Sequence, residues 1–252
     1  MKFSNHLAIL SAMPEEIGSI LNNLTDIKKI KFGDLVIYKG YWTNTKTKKL
    51  IKITTAWSGW GKVSAARAAT RILGLIDDDL QIEMLIFTGV AGAINKNLCQ
   101  WDIILANKLC QYDIDATPIF EKFVIPSLKV KYLIPNPEIH EWALKVLRNN
   151  LKKDELSKFK SLHDGLIGTA DKFVSKEETR NEITKAFPYI QAVEMEGAAV
   201  AQVACQENIP WLILRVISDT ADNSAAQNFN DFLLDYSNYS WNLIEVLLKN
   251  AS

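Results

Sequence analysis

The sequence predicts an α/β fold with one domain and three layers, in which helices flank a central mixed, mainly parallel sheet. The main observation is that short apolar runs alternate with amphipathic segments from one end of the chain to the other. The 252 residues, 48% of them hydrophobic, are also enough for a large buried core. Because no repeat, low-complexity tract or linker-like change of composition divides the chain, residues 1–252 are expected to form a single domain.

In the first half of the chain, most predicted elements are strands. Apolar runs predict strands at Leu7–Ala12, Leu35–Tyr41, Leu50–Ala56, Met84–Thr88, Asp102–Ala106 and Leu109–Asp115. The segment Pro14–Leu24 is a predicted helix, because Pro14 stands at an early position where its missing N–H costs little. A polar turn, Thr43–Lys49, separates two of the strands, and the Ala-rich segment Gly61–Leu73 is a second predicted helix.

In the second half, helices and strands alternate after a proline-rich stretch. Four prolines mark residues 117–137 as the most loop-like part of the chain. Strands are predicted beyond it at Gly165–Thr169, Ile190–Val193 and Trp211–Ile217. Helices are predicted at Pro135–Asn149, Ser175–Ala186, Gly197–Ala204 and Asn230–Leu248. This alternation is what favours a sheet covered on both faces.

Composition excludes several classes of function. The 29 basic and 29 acidic residues leave no positive excess for nucleic acid or for an acidic membrane surface. The three cysteines are widely spaced and make no Cys-x-x-Cys pair, which fits a reducing cytoplasm, and the three histidines lack zinc-site spacing. No apolar run approaches the roughly 18 residues that a membrane span needs. We therefore expect a cytoplasmic protein without nucleic-acid, membrane or metal partners.

Three acidic side chains stand where two apolar strands end. Glu194 and Glu196 flank Met195 after the strand at 190–193, and Asp219 follows the next strand. In open α/β sheets, ligands bind beyond the carboxyl ends of the strands, so these acids are candidates for chemistry. Their spacing fits equally well a set of ordinary strand-end and helix N-terminal acids, which the helix dipole favours.

The segment Gly59–Ser64 places a glycine-bracketed turn before a helix, but it completes no nucleotide-binding motif. A phosphate loop requires a hydroxyl residue after its lysine, and Val63 follows Lys62. The dinucleotide fingerprint requires a third small residue where Ser64 stands. ATP and NAD are therefore not indicated, and no cofactor is expected. The turn permits either a close approach to a ligand or a plain strand–helix connection.

Five segments, in one order along the chain, resemble motifs of the nucleoside phosphorylase/hydrolase superfamily, and above all those of its 5′-methylthioadenosine/S-adenosylhomocysteine nucleosidases. They are Ala12–Glu16, Ser58–Val63, Thr88–Gly92, Asp171–Val174, and Val193–Glu196 together with Arg215–Asp219. Each motif alone is weakly specific, but the resemblance spans residues 7 to about 235 and all five are in register.

The resemblance implies hydrolysis of the N-glycosidic bond of 5′-thio-substituted adenosines, which releases adenine and a 5-thioribose. Asp219 resembles the acid that protonates adenine N7, and Glu16 resembles the base that takes a proton from the attacking water. Glu196 resembles the residue that binds the ribose hydroxyls. General acids and bases of this kind each contribute roughly 10²–10⁴-fold in rate.

The same resemblance assigns further residues to the site. Arg215 resembles the cation that positions water and Glu16, although a salt bridge inside the sheet edge would explain it as well. Glu194 is expected to be structural. The remaining substrate-binding candidates are Met195 under the ribose, Phe173 and Val174 at adenine, Ser218 beside the acid, and Val90, Ala91, Gly92, Trp60 and Phe229.

The superfamily contains both hydrolases and phosphorylases, and the departures from its phosphorylase pattern favour water as the nucleophile. Phosphorylases bind phosphate through arginines, and this chain has Phe87 and Glu16 where two of them would lie. A carboxylate there would repel phosphate by several kcal/mol in a partly dry site. Lys62 and Arg67 are the cations of the neighbouring motif, and Arg67 is expected to lie too far along its helix.

Other departures leave the substrate open. Trp60 stands where these nucleosidases have a smaller apolar residue, so it either favours a methylthio group over a homocysteinyl group or fits another 5′ substituent. The segment Ala116–Phe120 resembles one that enters a neighbouring subunit's pocket, and a homodimer is expected. The alternatives are a nucleosidase for another adenine nucleoside (6-amino-6-deoxyfutalosine or 5′-deoxyadenosine), a purine nucleoside phosphorylase, and a non-catalytic nucleoside-binding protein.

Overall fold

The described part of the chain contains nine strands and six α-helices. The computed structural model describes residues 5–75, 81–221 and 225–251. The strands are β1 (His6–Ser11), β2 (Thr25–Phe32), β3 (Leu35–Thr43), β4 (Leu50–Trp57), β5 (Met84–Ala93), β6 (Ile103–Gln111), β7 (Leu162–Thr169), β8 (Ile190–Glu194) and β9 (Trp211–Asp219). The α-helices are α1 (Lys62–Leu73), α2 (Pro137–Asn150), α3 (Glu177–Ala186), α4 (Gly197–Gln206), α5 (Ala225–Ser237) and α6 (Ser240–Lys249). Short 3-10 helices lie at Pro14–Glu16, Ile20–Asn23 and Asp154–Leu156.

All the strands belong to one mixed sheet with the order β2-β3-β4-β1-β5-β8-β7-β6-β9. The pairs β1–β4, β1–β5, β5–β9, β6–β7 and β7–β8 are parallel. The pairs β2–β3, β3–β4, β5–β8 and β6–β9 are antiparallel. Because β9 pairs with β5 as well as with β6, the second half of the sheet closes into a ring. The predicted α/β class with a mixed sheet is confirmed.

Alternate side chains of the central strands enter two separate cores, which makes the fold three-layered. On β1, Leu7 and Ile9 pack with apolar residues of α2, α5 and α6. Ala8 and Leu10 point the other way and pack with the small residues of α1 and α4. This period of two is the expected geometry of a strand that is buried on both faces. Within the described residues, no helix is long and apolar enough to cross a membrane.

The prediction of one helix over Pro14–Leu24 is wrong. The segment forms two short 3-10 helices, and Gly18 between them has a φ of +58°. A Cβ at Gly18 would lie 2.5 Å from both the Ser237 carbonyl oxygen and Ser240 Oγ. Close packing against the C-terminal helices therefore imposes a left-handed glycine that ends the helical run.

Strand β2 was not predicted. Its sequence, Thr-Asp-Ile-Lys-Lys-Ile-Lys-Phe, is mostly exposed and lies at the edge of the sheet. Lysines on an edge strand are a common protection against pairing with another chain, but they also remove the apolar signal that identifies a strand. The edge position therefore explains the omission.

Three other predicted boundaries also change. Asp102–Ala106 and Leu109–Asp115 form the single strand β6, whose pairing with β7 shifts register between Ala106 and Lys108. The strand predicted to end at Thr88 continues as β5 to Ala93. The predicted closing helix Asn230–Leu248 is two helices, α5 and α6, because tight turns at Asn238 and Tyr239 interrupt it. Both helices contribute to the same apolar core, so periodicity alone does not reveal the break.

Candidate active site

A pocket of about 540 Å³ opens near the carboxyl ends of β1, β5, β8 and β9. The predicted site residues that line it are Glu16, Trp60, Val90, Ala91, Gly92, Phe173, Val174, Met195, Glu196, Ser218, Asp219 and Phe229. Arg215 is not part of this lining; it is fully buried on β9 and contacts the acids of the pocket. Side chains from distant segments of the sequence therefore meet around a single cavity.

Glu16 is held in the pocket by three backbone N–H groups. Its Oε2 accepts hydrogen bonds from Ala12 at 2.8 Å and Met13 at 2.9 Å, and its Oε1 accepts one from Val90 at 2.9 Å. Burial raises the pKa of the Glu16 carboxyl above its ordinary value, and Arg215 and the three N–H groups oppose that rise. The position of the carboxylate is thus fixed, while its charge remains poorly solvated.

Gly89 allows Glu16 and Arg215 to approach each other across β5. A Cβ at position 89 would collide with Glu16 Oε1 and with Arg215 Nη1. Any larger residue would therefore displace one of these side chains. Within the described part of the chain, Arg215 Nε and Nη1 have no hydrogen-bond partner, although Arg215 is completely buried. The buried guanidinium thus has unused donors close to the Glu16 carboxylate.

Glu194 is the main partner of Arg215. Its Oε2 lies 2.5 Å from Arg215 Nη2 and also accepts hydrogen bonds from the N–H groups of Glu196 and Gly197 at 3.0 and 2.7 Å. Its Oε1 accepts a short hydrogen bond from Thr169 Oγ1. Both oxygens are occupied by the protein itself, and this agrees with the structural role expected for Glu194.

Glu196 lies at the start of α4 and reaches the start of α1. Its Oε1 accepts a hydrogen bond of 2.8 Å from the Gly61 N–H, and its Oε2 lies 3.8 Å from Arg215 Nη2. Burial, with a further contribution from the charge of Glu194, raises the pKa of Glu196 to about 8 against the effect of Arg215. Glu196 therefore changes charge close to neutral pH.

Asp219 ends β9 with both carboxyl oxygens held in place. Its Oδ2 accepts a hydrogen bond of 2.7 Å from Ser218 Oγ, and its Oδ1 accepts one of 2.8 Å from the Ala221 N–H. Gly92 passes close by, because a Cβ there would lie 3.0 Å from Asp219 Oδ1. These contacts give the carboxyl group a defined orientation at the pocket wall.

Three aromatic rings form the exposed side of the pocket. Phe229 lies between the other two and contacts each edge to face, with ring centroids 6.1 Å from Trp60 and 5.9 Å from Phe173. Trp60 is 53% exposed and Phe173 is 39% exposed. Such rings offer flat apolar faces to a planar or apolar ligand at the entrance.

Some lining residues were missed by the sequence prediction. They are Ala12, Met13, Lys172 and Val193, and the lining also contains Glu194, for which a structural role was expected. Each of them lies within, or next to, a motif that was recognised, so a wider reading of those motifs would have found them. Lys172 is the cation of the lining; Lys62 instead bonds Asp113 at 2.7 Å, and Arg67 bonds Asp34 at 2.8 Å away from the pocket.

Histidine, cysteine and acidic side chains do not assemble into a candidate metal centre within the described ranges, where no group of three or more of them could hold an ion. The four acids that line the pocket, Glu16, Glu194, Glu196 and Asp219, are instead engaged by backbone N–H groups, a serine and an arginine. The arrangement suits proton transfer and the stabilisation of positive charge.

Comparisons with known proteins identify the family of this chain. The family model of the phosphorylase superfamily matches residues 6–249. A curated relative from Staphylococcus aureus, named 5′-methylthioadenosine/S-adenosylhomocysteine nucleosidase, is 30% identical over 244 residues, which are 96% of this chain and 99% of the relative.

Two solved structures have the same fold over nearly their full length. The nucleosidase of that name from Neisseria meningitidis, in complex with methylthio-immucillin-A, has a TM-score of 0.85 and 29% identity, covering 97% of this chain and 99% of its own. Futalosine hydrolase of Helicobacter pylori has a TM-score of 0.81 and 29% identity, covering 97% of each chain. The chain therefore belongs to the phosphorylase superfamily, in the family of 5′-methylthioadenosine/S-adenosylhomocysteine nucleosidases.

Proposed function

We propose that this chain is an N-glycosidase that hydrolyses 5′-thio-substituted adenosines, methylthioadenosine and S-adenosylhomocysteine, to adenine and a 5-thioribose. The observation that carries the proposal is that Glu16, Glu196 and Asp219, from three distant segments, line one pocket. The names of the Staphylococcus aureus and Neisseria meningitidis relatives support the choice of substrate.

Asp219 is the proposed general acid. Adenine leaves poorly as an anion, so a proton delivered to its N7 while the C–N bond breaks lowers the barrier. The hydrogen bonds from Ser218 Oγ and the Ala221 N–H support this role, because they hold the carboxyl group in one orientation beside the pocket. From this orientation at the pocket wall, Asp219 would deliver its proton to the purine.

Glu16 is the proposed base, which takes a proton from the attacking water. Burial raises the pKa of Glu16, and a base with a raised pKa accepts that proton more readily. Arg215, whose unused donors lie across Gly89 from Glu16, is proposed to orient both the water and the carboxylate. The ion pair between Arg215 and Glu194 keeps the guanidinium in that position.

Glu196 and Met195 are proposed to hold the ribose. An ionised Glu196 accepts hydrogen bonds from sugar hydroxyls and also stabilises the oxocarbenium-like transition state electrostatically. The Gly61 N–H fixes one of its oxygens at 2.8 Å and leaves the other directed toward Arg215. Met195 follows Glu194 in the lining and supplies an apolar surface under the sugar.

The aromatic side of the pocket is proposed to receive the base and the 5′ group. Phe173 would stack on adenine, and the Val174 backbone would contact the purine edge. Trp60 and Phe229 would line the 5′-thio end, and Val90, Ala91 and Gly92 would form the wall beside Glu16, which accepts a hydrogen bond from the Val90 N–H. A stacked base gains roughly 1–3 kcal/mol from such an aromatic contact.

Water is the proposed nucleophile because the site opposes phosphate. The N–H groups of Ala12, Met13 and Val90, which an anion could use, are already occupied by Glu16. Phe87 provides no charge, and its ring lies 4.3 Å from Arg215 Cζ. A phosphate dianion would meet the buried carboxylate of the proposed base, Glu16, at a cost of several kcal/mol.

The test is adenine release from methylthioadenosine with and without inorganic phosphate, with the sugar product identified by mass spectrometry. We expect a rate that does not depend on phosphate and a free 5-thioribose as product. A phosphate-dependent rate with a sugar 1-phosphate would show a phosphorylase instead. Tight nucleoside binding without any adenine release would identify a non-catalytic binding protein.

A second candidate substrate is another adenine nucleoside, such as 6-amino-6-deoxyfutalosine or 5′-deoxyadenosine. The observation that favours it is the likeness to Helicobacter pylori futalosine hydrolase, together with an exposed Trp60 at the open side of the pocket. A panel of 5′-substituted adenosines, compared by kcat/KM, separates the candidates. The substrate with the highest value identifies the preferred 5′ group.

We also propose that residues 1–252 act as one domain and that the protein is a cytoplasmic homodimer. Strands from both halves of the chain join one sheet, which supports a single domain. Ile119, in the segment that resembles one entering a neighbouring subunit's pocket, is 84% exposed and is therefore accessible for such a contact. The exposed free thiol of Cys99 fits a reducing compartment. Light scattering after gel filtration tests the dimer, and cell fractionation tests the location.

A further inference from the structure

The start of α1 carries no cap of its own and is capped from another part of the fold. Its cap residue is Gly61, which has no side chain to accept a hydrogen bond. The Lys62 N–H instead donates to Asp171 Oδ1 at 2.7 Å, and Asp171 belongs to the loop that follows β7. The neighbouring Gly61 N–H donates to Glu196 Oε1 at 2.8 Å. Two carboxylates from different loops thus share one helix end, where the dipole favours them.

A closed set of contacts holds Asp171 in this position. Asp113 Oδ2 accepts a hydrogen bond of 3.0 Å from the Asp171 N–H, and Asp113 Oδ1 pairs with Lys62 Nζ at 2.7 Å. Lys62, Asp113 and Asp171, hereafter the clasp, therefore form a ring of three interactions. A Cβ on Gly61, whose φ is +90°, would lie 2.9 Å from Asp171 Oδ1. Only glycine there lets the clasp close.

The clasp joins the two sides of the pocket. On one side of it, Trp60 lines the pocket and the Gly61 N–H holds Glu196. On the other side, Phe173 and Val174 follow Asp171 directly in the same loop. A change in Asp171 would therefore move the helix end and the aromatic loop relative to each other, although Asp171 itself lies outside the pocket lining.

We propose that Asp171, held by Lys62 and Asp113, is a positioning residue that fixes the Gly61 N–H on Glu196 and keeps the Phe173 loop aligned with it. The inference rests on the proposed function, because it explains how Glu196, the proposed ribose-binding acid, and Phe173, the proposed stacking ring, keep their relative positions. Because Asp171 lies outside the pocket lining, the role assigned to it is to position other residues.

The variants Asp171→Ala and Asp171→Asn test the inference because both remove the charge and only Asn keeps an oxygen that can accept from the Lys62 N–H. The matched control is Asn136→Ala, which removes a cap of the same kind from α2, where Asn136 Oδ1 accepts from Glu138 and Ile139 at 3.1 and 3.2 Å. We expect each variant to lower Tm by about 3–8 °C, which is the ordinary effect of losing one helix cap.

The first readout is the titration of the Glu196 carboxyl, followed by carbon-13 NMR and assigned with Glu196→Gln. The charged groups that face Glu196 are Glu194, Arg215 and Glu16, and these variants leave all three residues unchanged. Because the Gly61 N–H stabilises the ionised form, we expect the titration midpoint in Asp171→Ala to exceed that in Asp171→Asn by about half a pH unit or more. Equal midpoints in the two variants would overturn the proposal.

The second readout is kcat/KM for phosphate-free adenine release. Asp171→Ala should lose about tenfold, most of which returns at high pH where Glu196 is ionised, while Asp171→Asn stays within about threefold of the wild type. Asn136→Ala should match the wild type. Equal losses of kcat/KM in Asp171→Ala and Asn136→Ala would show that Asp171 affects activity only through the stability of the fold. If the wild type released no adenine, the proposed function would fail, and the titration would still decide the role of Asp171.

Discussion

Arg215 Nη2 lies 2.5 Å from Glu194 Oε2, in an ion pair that is buried on both sides. The Glu196 carboxylate is farther from the same nitrogen, at 3.8 Å. Glu194 therefore receives most of the compensation that the arginine offers, and Glu196 receives the remainder. Glu194 and Glu196, which are separated by one residue, thus have different roles. Glu194 anchors the guanidinium of Arg215, and Glu196 lines the pocket with a raised pKa.

Removing the charge of Glu194 should destabilise the protein strongly. Glu194→Gln keeps the shape of the side chain but leaves the buried Arg215 without its main counter-ion, which costs about 3–5 kcal/mol. Urea unfolding of the variant and the wild type measures the loss. The control is Asp34→Asn, which breaks the exposed pair with Arg67 and should cost far less. Similar losses in the two variants would contradict the assignment of Glu194 as the anchor of Arg215.

Asp219→Asn should abolish most adenine release while nucleoside binding persists. The amide has no acidic proton to give to N7, so we expect kcat to fall by about 10²–10⁴-fold. An asparagine oxygen can still accept a hydrogen bond from Ser218 or Ala221, which preserves the local geometry. Single-turnover kinetics and calorimetry measure the two effects separately. Turnover close to that of the wild type would exclude Asp219 as the acid.

The sequence predicts the layers of the fold because its apolar periodicities are strong, and it predicts less where tertiary contacts decide. Strand β2 is an exposed, lysine-rich edge with almost no apolar alternation. The helical run after Pro14 ends at Gly18 because helices from the far end of the chain pack on it. Neither feature can be predicted from the local sequence.

The candidate site divides in the same way. Glu16, Glu196 and Asp219 could be named beforehand because each stands in a recognisable motif near a strand end. The cap that Asp171 supplies to α1 could not, because Asp171 is 109 residues away from Lys62 in the chain and no local pattern links them. Which oxygen of Glu194 meets Arg215 likewise depends on how β8 and β9 are arranged in the ring.

Trp60 is expected to decide between substrates by the size of their 5′ group. Its ring contacts Phe229 at the open side of the pocket, where the 5′ group is proposed to bind. We expect Trp60→Ile to raise kcat/KM for S-adenosylhomocysteine relative to methylthioadenosine by about tenfold, an ordinary effect of reshaping an apolar pocket. The control is Trp142→Ile on α2, outside the pocket lining. An unchanged ratio in Trp60→Ile would show that the indole does not restrict the 5′ group.

Activity should rise with pH through the ionisation of Glu196. Burial raises the pKa of this carboxyl to about 8, so below that pH the free protein mostly carries it protonated. Ribose binding and stabilisation of an oxocarbenium-like state need the ionised form. We therefore expect kcat/KM to increase between pH 6 and about pH 8, because kcat/KM reports the groups of the free enzyme. A flat profile for the wild type across this range would contradict the role given to Glu196.

The same carboxyl should limit stability on the alkaline side. In the unfolded chain Glu196 loses its proton near the ordinary value of 4.5, while the folded protein keeps that proton up to about pH 8. Between these values the native state binds the additional proton, so the contribution of Glu196 to stability falls as pH rises.

Glu196→Gln has no proton to lose, and it should be more stable than the wild type by about 1–3 kcal/mol at pH 8.5 and nearly equal to it at pH 4.5. Urea unfolding at both pH values measures the difference, with the exposed Glu141→Gln on α2 as a control that should show no such pH dependence. A Glu196→Gln variant that is less stable than the wild type at pH 8.5 would mean that the ionised carboxylate is held favourably in the folded protein. Ionisation of Glu196 would then cost the folded protein no stability. That result would contradict the expectation from the burial of Glu196 and from its distance of 3.8 Å to Arg215 Nη2.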